Sequence, residues 1–450
     1  MADHENTQTL RHKIRSSFWL RFVIVLALLL PVMVLLLMPG GPLLAGVIWF
    51  WMLALLSFWV IWLVLGRAGR KARAAVQPEE HVLNFQPEPI REVMDVKVAV
   101  EESGVQVFRG RLLEPASVAY QKLKQALGGQ AVPLIQEDDQ FGAAILVMPK
   151  QIEKAVLERR SRPWVNWLLF FLTLLTTTWA GAAQAGVNLL QEPGRFVVGL
   201  PYALGLLTIL GVHELGHFFA ARHHGMDVTP PYFIPVPFAL GTFGAFIKMR
   251  SPAEDRWSLF DVAVAGPLAG LAIAIPALLI GLHSSVVLPG SMEIAREPLN
   301  GGSAGSSILF ALLAKISLGP ALLQGSTLRL SPLAYAGWLG LVITALNLLP
   351  IGQLDGGHTV RAMFGTRIGR VISNVAMWTL FLLALFVWPG LMMWAIIVFF
   401  IAGRSSPPLN DLTPITRGRF WLGWLTFAIL ALILIPLPQS WWNALGIYHP

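Results

Sequence analysis

Apolar runs about 20 residues long constrain this chain more than any other feature, because each can cross a bilayer as a helix. Only 13% of the residues are charged, about half the usual share in a soluble protein. We therefore expect an integral, multi-pass membrane protein, built as an all-α polytopic bundle of about eight or nine spans. The candidate windows are 17–38, 43–65, 164–183, 197–221, 261–283, 332–350, 371–388, 390–403 and 420–437, with 305–323 too interrupted to assign.

The basic residues indicate how this bundle is oriented. Lys and Arg flank the windows in loops that an alternating topology places on one side, whereas 184–195 and 284–330 contain few of them. The positive-inside rule makes the basic side cytoplasmic. The net charge of +8 is thus explained by orientation, and nucleic acid is not an expected partner.

Residues 75–162 interrupt the apolar pattern and contain 13 of the 25 acidic residues. Alternating runs near 105–113, 131–136 and 143–149 indicate strands, and 115–127 indicates a helix. This pattern predicts a small cytoplasmic α+β domain that selects substrates, regulates the protein or only links its parts. The predicted division is 1–74 (an N-terminal pair of transmembrane helices), 75–162 (the α+β domain), 163–403 (the membrane core) and 404–450 (a C-terminal transmembrane helix and tail).

A His-Glu-x-x-His pattern, His213 to His217, lies inside the window 197–221. Residues four apart share a helix face, so His213 and His217 can bind one metal ion. Glu214 lies about 100° around the helix, which suits a general base near the ion. The chain has no Cys, which leaves His, Asp and Glu as metal ligands. The alternative is that these polar residues only solvate a helix end.

A third ligand is expected downstream, because a catalytic zinc site takes three protein ligands plus water. The best candidate is Asp355, which follows the window 332–350 at the same predicted depth as His217. His358 is a rival ligand, and Asp355 could instead cap the next helix. Gly356 and Gly357 would allow close backbone approach to an ion.

These motifs resemble those of the site-2 proteases, the intramembrane zinc metalloproteases, which pair His-Glu-x-x-His with a later Asn-x-x-Pro-x-x-x-x-Asp-Gly. Both patterns are present, the second from Asn347 through Pro350 to Asp355. The resemblance implies one Zn²⁺ held by His213, His217 and Asp355, with Glu214 as catalytic acid/base and Asn347 as a transition-state aid. It covers about 75–403 and is similar to the cyanobacterial and plastid EGY-like branch, without a PDZ domain.

The segment 228–250 cannot be a helix, because prolines stand at 230, 231, 235 and 237. Non-helical backbone at membrane depth must be buried in protein or line a cavity. We expect a membrane-embedded β-hairpin or loop whose edge strand holds an extended substrate by strand addition, with a packing loop as the alternative. The candidate substrate-binding residues are Thr242, Phe243, Gly244, Ala245, Phe246 and Ile247.

The expected function is hydrolysis of a peptide bond in or near a transmembrane helix of a protein substrate, as in regulated intramembrane proteolysis. The resemblance implies a bacterial inner or thylakoid membrane, with the lipid bilayer and a membrane-protein substrate as partners and the active site toward the cytoplasm. A prenyl-protein-processing metallopeptidase is one rival. A catalytically silent scaffold or a metal transporter using the same His/Asp cluster is another. The sequence does not predict an oligomeric state.

Overall fold

A computed structural model of the chain describes ten stretches of residues. They are 81–82, 88–102, 105–128, 131–149, 163–237, 240–288, 307–319, 327–386, 391–401 and 407–436. The first two predicted membrane windows, and the predicted domain 1–74, lie outside these described residues.

The α+β region is a five-stranded antiparallel sheet with two short helices. The strands run in the order β1-β2-β3-β5-β4. Phe108 and Ile145 are directly paired across β3 and β5, and with Leu123 they are completely buried. The bounds are β1 His81–Val82, α1 Glu88–Val93, β2 Met94–Glu102, β3 Val105–Leu112, α2 Ala116–Ala126, β4 Ala131–Asp138 and β5 Gly142–Pro149.

The remainder of the described chain is mostly helical. Five of its helical runs are long and apolar enough to cross a membrane, which makes this an integral membrane protein. They are Trp164–Gln184, Pro193–His223, Arg256–His283, Asp355–Phe386 and Arg417–Leu434. The helices are α3 Pro163–Gln184, α4 Leu200–His223, α5 Arg256–His283, α6 Ile308–Leu318, α7 Pro332–Leu348, α8 Asp355–Phe386, α9 Leu391–Ile401 and α10 Arg417–Leu434.

Within the described residues, each predicted window overlaps one of these helices, although α8 begins well before the window 371–388, and two of the helices are short. The window 332–350 becomes α7, of 17 residues, and 390–403 becomes α9, of 11 residues. The interrupted stretch 305–323 contains α6. The total of eight or nine spans therefore remains a prediction.

Helix α5 begins earlier than hydropathy indicated. The window starts at 261, whereas the helix starts at Arg256 because Asp255 and Ser258 form a capping box. The Asp255 carboxylate accepts from the backbone of Ser258, and the Ser258 hydroxyl accepts from the backbone of Asp255. Such a polar start satisfies free helix amides and is invisible to a hydropathy window.

Small residues bring α4, α5 and α7 close together. A β-carbon on Gly216 of α4 would lie 2.6 Å from the Ala265 carbonyl oxygen of α5, and one on Gly337 of α7 would lie 2.5 Å from the Leu278 nitrogen. Close backbone approach of this kind is the main way in which membrane helices gain contact. These three helices form the frame on which the site is built.

The proline-rich segment forms an antiparallel hairpin of β6, Tyr232–Pro235, and β7, Thr242–Phe246. Ile247 lies just beyond β7. A second pair, β8 Val286–Leu288 with β9 Thr327–Arg329, was not predicted.

Two membrane helices fix this hairpin. The side-chain amide of Asn166 in α3 donates to the carbonyls of Pro230 and Pro231, at 3.0 and 2.9 Å. At the turn, the Tyr202 hydroxyl of α4 donates to the Leu240 carbonyl at 2.9 Å. Proline supplies no amide to a sheet, so these bonds from neighbouring helices hold the segment instead.

Candidate metal centre

His213 and His217 stand one turn apart on α4 and face the same way. Their Nε2 atoms lie 3.2 Å apart, and the residues are 3% and 7% exposed. Two imidazole nitrogens this close, in a buried place, require a shared proton or a cation between them.

Asp355 completes a three-membered group. It begins α8, and its Oδ2 lies 3.4 Å from Nε2 of His213 and 3.3 Å from Nε2 of His217. A tetrahedral site with metal–ligand bonds near 2.1 Å has ligand atoms about 3.3 Å apart. The three measured separations match this value, and a donor set of two imidazoles and one carboxylate suits a divalent transition metal. The residues therefore fit one such ion.

His217 is oriented by a backbone contact from α5. Its Nδ1 lies 2.7 Å from the carbonyl oxygen of Val262, and an imidazole nitrogen facing a carbonyl must carry the proton. Nε2 is then left with the lone pair that a metal needs. Such an outer contact fixes both the tautomer and the ring orientation of a ligand.

The corner between α7 and α8 places Asp355. A β-carbon on Gly356 would lie 1.9 Å from the Leu348 carbonyl oxygen, and one on Gly357 would lie 2.4 Å from the Gly352 carbonyl oxygen. The two glycines therefore allow the start of α8 to pack on the end of α7. Close approach of this backbone to an ion stays a prediction.

Glu214 lies beside the group, in a cavity of about 240 Å³. Its carboxylate lies close to the backbone of Ile247, at the end of the hairpin. The cavity has room for several waters, since each takes about 30 Å³. Glu214 is thus placed to exchange a proton with water, next to backbone from β7.

Asn347 approaches the group from α7. Its Nδ2 lies 3.2 Å from Nε2 of His213, and it lines the same cavity. A metal ion would occupy the lone pair of that nitrogen, so the amide of Asn347 would then be available for another acceptor.

The predicted substrate strand lies partly at this cavity. Ala245, Phe246 and Ile247 line it, whereas Thr242 and Phe243 are not among its lining residues. Thr242 is buried, and its hydroxyl donates to the Ile234 carbonyl at 2.9 Å. Gly244 has φ +103°, a backbone angle that residues other than glycine rarely adopt.

The rival ligand His358 lies farther along α8. It also lines the cavity, but the group of potential ligand atoms within 4.8 Å of one another contains only His213, His217 and Asp355 among the described residues. The Nδ1 atom of His358 is buried without a hydrogen-bond partner in the described part of the chain.

Sequence reasoning missed the residues that hold the site in place. Asn166 had a detectable signal, because a polar residue within an apolar window is costly unless it bonds. The Val262 carbonyl had no such signal in the sequence. Every residue carries a backbone carbonyl, and the contact of this one with His217 joins two helices that are distant in sequence.

One family model matches the region of the chain that contains this site. The model of peptidase family M50 matches residues 201–388, a region that includes the His-Glu-x-x-His helix and Asp355.

Curated relatives match over longer stretches. The Arabidopsis thaliana protein named "Probable zinc metalloprotease EGY1, chloroplastic" is 34% identical over 55% of this chain and 45% of its own length. The corresponding EGY2 and EGY3 proteins of Oryza sativa subsp. indica are each 29% identical, over 75% and 73% of this chain and 62% and 60% of their own lengths. The chain thus spans about half to three fifths of these relatives. The model of peptidase family M50 thus matches the part of the chain that carries the site, and the chain is similar to the EGY proteins.

Proposed function

We propose that the chain is an intramembrane zinc metalloprotease that cuts a membrane-spanning helix of a protein substrate. The observation that carries the proposal is the equal spacing of the ligand atoms of His213, His217 and Asp355, with Glu214 in the same cavity. The names of the EGY relatives supply zinc as the metal. One Zn²⁺ would be held by the two imidazoles and the carboxylate.

The chain's own residues perform the proton transfers. A bound zinc ion supplies Lewis acidity, which makes water acidic near neutral pH and polarises a carbonyl. Glu214 takes the proton from the attacking water and then delivers a proton to the leaving amine. Asn347 donates to the oxygen on which negative charge develops.

The hairpin supplies the substrate site. A helical substrate hides its carbonyls in its own hydrogen bonds, so it must be extended before hydrolysis. We assign residues 242–247 to strand addition, with Ala245, Phe246 and Ile247 nearest to the reacting bond. The closeness of the Glu214 carboxylate to the backbone of Ile247, on the wall of the same cavity, supports this arrangement.

The domain plan and orientation are part of the same proposal. We assign 75–162 to a cytoplasmic α+β domain, 163–403 to the protease core and 404–450 to a C-terminal helix and tail, with 1–74 as a first pair of spans. Contacts between α2 and Glu254, just before α5, support one common side for the domain and this end of the core. A bacterial inner or thylakoid membrane fits the chloroplastic relatives.

The test compares the membrane proteome of the native host carrying wild type, Glu214→Gln or Glu192→Gln. Glu192 is an exposed carboxylate paired with Arg195 and serves as the matched control. We expect membrane-protein fragments to accumulate only with Glu214→Gln, since loss of a general base lowers turnover about 10²- to 10⁴-fold. The purified variant should still bind zinc.

Continued cleavage by Glu214→Gln would overturn the assignment of the base. If the three proteomes were the same while zinc stayed bound, a silent scaffold or a transporter would become the better interpretation. Zinc flux through reconstituted vesicles then separates those two.

A further inference from the structure

A short segment, Leu409–Asp411, joins the α+β region to the membrane core; we name it the clasp. On the core side, the backbone amides of Leu409 and Asn410 donate to the carbonyls of Ala253 and Glu254, at 2.9 and 2.8 Å. These bonds attach the clasp to the loop that precedes α5, and Ala253 in that loop lines the metal cavity.

The other side of the clasp pairs with β4. The Ile135 amide donates to the Leu409 carbonyl at 2.7 Å, and the Asp411 amide donates to the Ile135 carbonyl at 3.0 Å. The Asn410 side chain also donates to the carbonyl of Ala116, at the start of α2. The clasp thus covers the outer edge of the sheet, where unpaired backbone would otherwise be exposed.

The side chain of Asp411 reaches into the core. It is 4% exposed, its carboxylate accepts from the hydroxyl of Thr366, and it lies 3.9 Å from the guanidinium of Arg361. Arg361 in turn donates to Thr366 at 2.8 Å. Burial raises the pKa of the Asp411 carboxyl, and the bond from Thr366 and the charge of Arg361 oppose that rise.

These two partners stand on either side of a break in α8. Gly365 has φ +81° and ψ 176°, so the helix is interrupted between 355–364 and 366–386. Arg361 belongs to the first part, which begins with Asp355, and Thr366 belongs to the second. A glycine break can act as a pivot, and the Asp411 contacts hold its two sides together.

We propose that Asp411 is a positioning residue through which docking of the α+β domain sets the placement of Asp355. Its backbone is bonded to β4, and its carboxylate fixes the segment that carries the candidate ligand. When the domain is docked, the segment 355–364 is held; when the domain lifts from the clasp, the segment is released. The domain therefore regulates the site, and this inference rests on the proposed function only for its effect on turnover.

The test uses the purified chain in lipid nanodiscs. Asp411→Asn keeps the shape of the side chain and removes the charge that faces Arg361. Asn410→Ala removes the contact with α2 and the hydrogen bonds of that side chain to Leu412 and Thr413, while the side chain of Asp411 itself is kept. Asp95→Asn is the matched control, because Asp95 is an exposed carboxylate that pairs with Lys97 on the same strand, β2, away from α8.

The first readout does not need activity. We expect Asp411→Asn to increase hydrogen exchange in 355–364 and to speed the loss of zinc to a chelator about tenfold, which lies within the range for positions that couple two sites. Asn410→Ala should do the same more weakly, and the double variant should fall short of the sum because both act through one clasp. Asp95→Asn should match wild type.

The second readout is turnover. A misplaced ligand lowers kcat about tenfold and leaves KM within about twofold, since substrate binding at the hairpin is untouched. Unchanged exchange in 355–364 in a folded Asp411→Asn protein would overturn the proposal, as would additive effects of the two clasp variants. If wild type has no protease activity, hydrogen exchange and zinc release still test whether Asp411 positions Asp355. Failure of the proposed protease function can therefore be distinguished from failure of the role proposed for Asp411.

Discussion

The imidazole of His217 lies directly against the α-carbon of Gly266. A β-carbon at position 266 would come within 2.1 Å of Nε2 and 2.4 Å of Cε1 of that ring. The residue on α5 must therefore lack a side chain, because the space that one would fill contains the nitrogen proposed to bind the metal.

Gly266→Ala should displace His217 and weaken zinc binding. Backbone and outer contacts of this kind are worth about 10- to 100-fold in metal affinity, and the loss should be measured by competition with a chromophoric chelator. Gly211→Ala is the control, since a β-carbon there meets only Phe233 at an ordinary 3.6 Å. Equal zinc affinity in the two variants would mean that α4 and α5 can shift to accommodate the methyl group.

Asn347→Leu should lower kcat about 10²- to 10³-fold, the usual effect of losing one donor to a developing oxyanion. Zinc content and KM should remain close to those of wild type, because leucine keeps the branched shape and the number of side-chain heavy atoms. Thr344→Val provides the control: it removes a buried hydroxyl on the same helix that bonds only to the Gly340 carbonyl. If the Leu variant instead loses zinc, the role of Asn347 is to hold His213 in place for the metal, and not to donate to the substrate.

Gly244→Ala tests the substrate strand through its backbone alone. No atom lies within 4 Å of a β-carbon built there, but φ is +103°, and an alanine would be strained by about 1–3 kcal/mol. We expect the strand to relax and KM to rise while kcat changes little. Gly186→Ala has the same open space and φ +79° in a turn far from the hairpin. It should lower Tm by a similar amount and leave KM alone, and a rise in KM with both variants would exclude a specific role for the hairpin.

The sequence predicted the elements that carry strong local patterns. Hydropathy located the long helices, and the spacing of His213 and His217 requires one helix face. The prolines excluded a helix before β7, where the structure has the hairpin. The group formed with Asp355 was anticipated from predicted depth, since both motifs were expected at the same end of the bundle.

Contacts between distant segments were not predictable in the same way. The clasp has no periodicity that would distinguish it from a connecting loop, and its pairing with Ile135 depends on tertiary structure. Gly266 lies inside the window 261–283 without a pattern that marks it, and its contact with His217 needs the register of α5 against α4. The register of two packed helices cannot be read from a single sequence, because many alternative registers bury a similar apolar area.

Helix α7 has 17 residues and is therefore about 25 Å long, whereas the hydrocarbon layer of a typical bilayer is about 30 Å thick. If the N-terminal end of α7 lies at one surface of the hydrocarbon layer, Asn347 and the corner before Asp355, at its other end, lie inside that layer and do not reach the opposite surface. Such hydrophobic mismatch is relieved by local thinning of the lipid. Bilayer thickness, and with it the acyl-chain length of the host membrane, then becomes a determinant of how much water reaches the metal cavity.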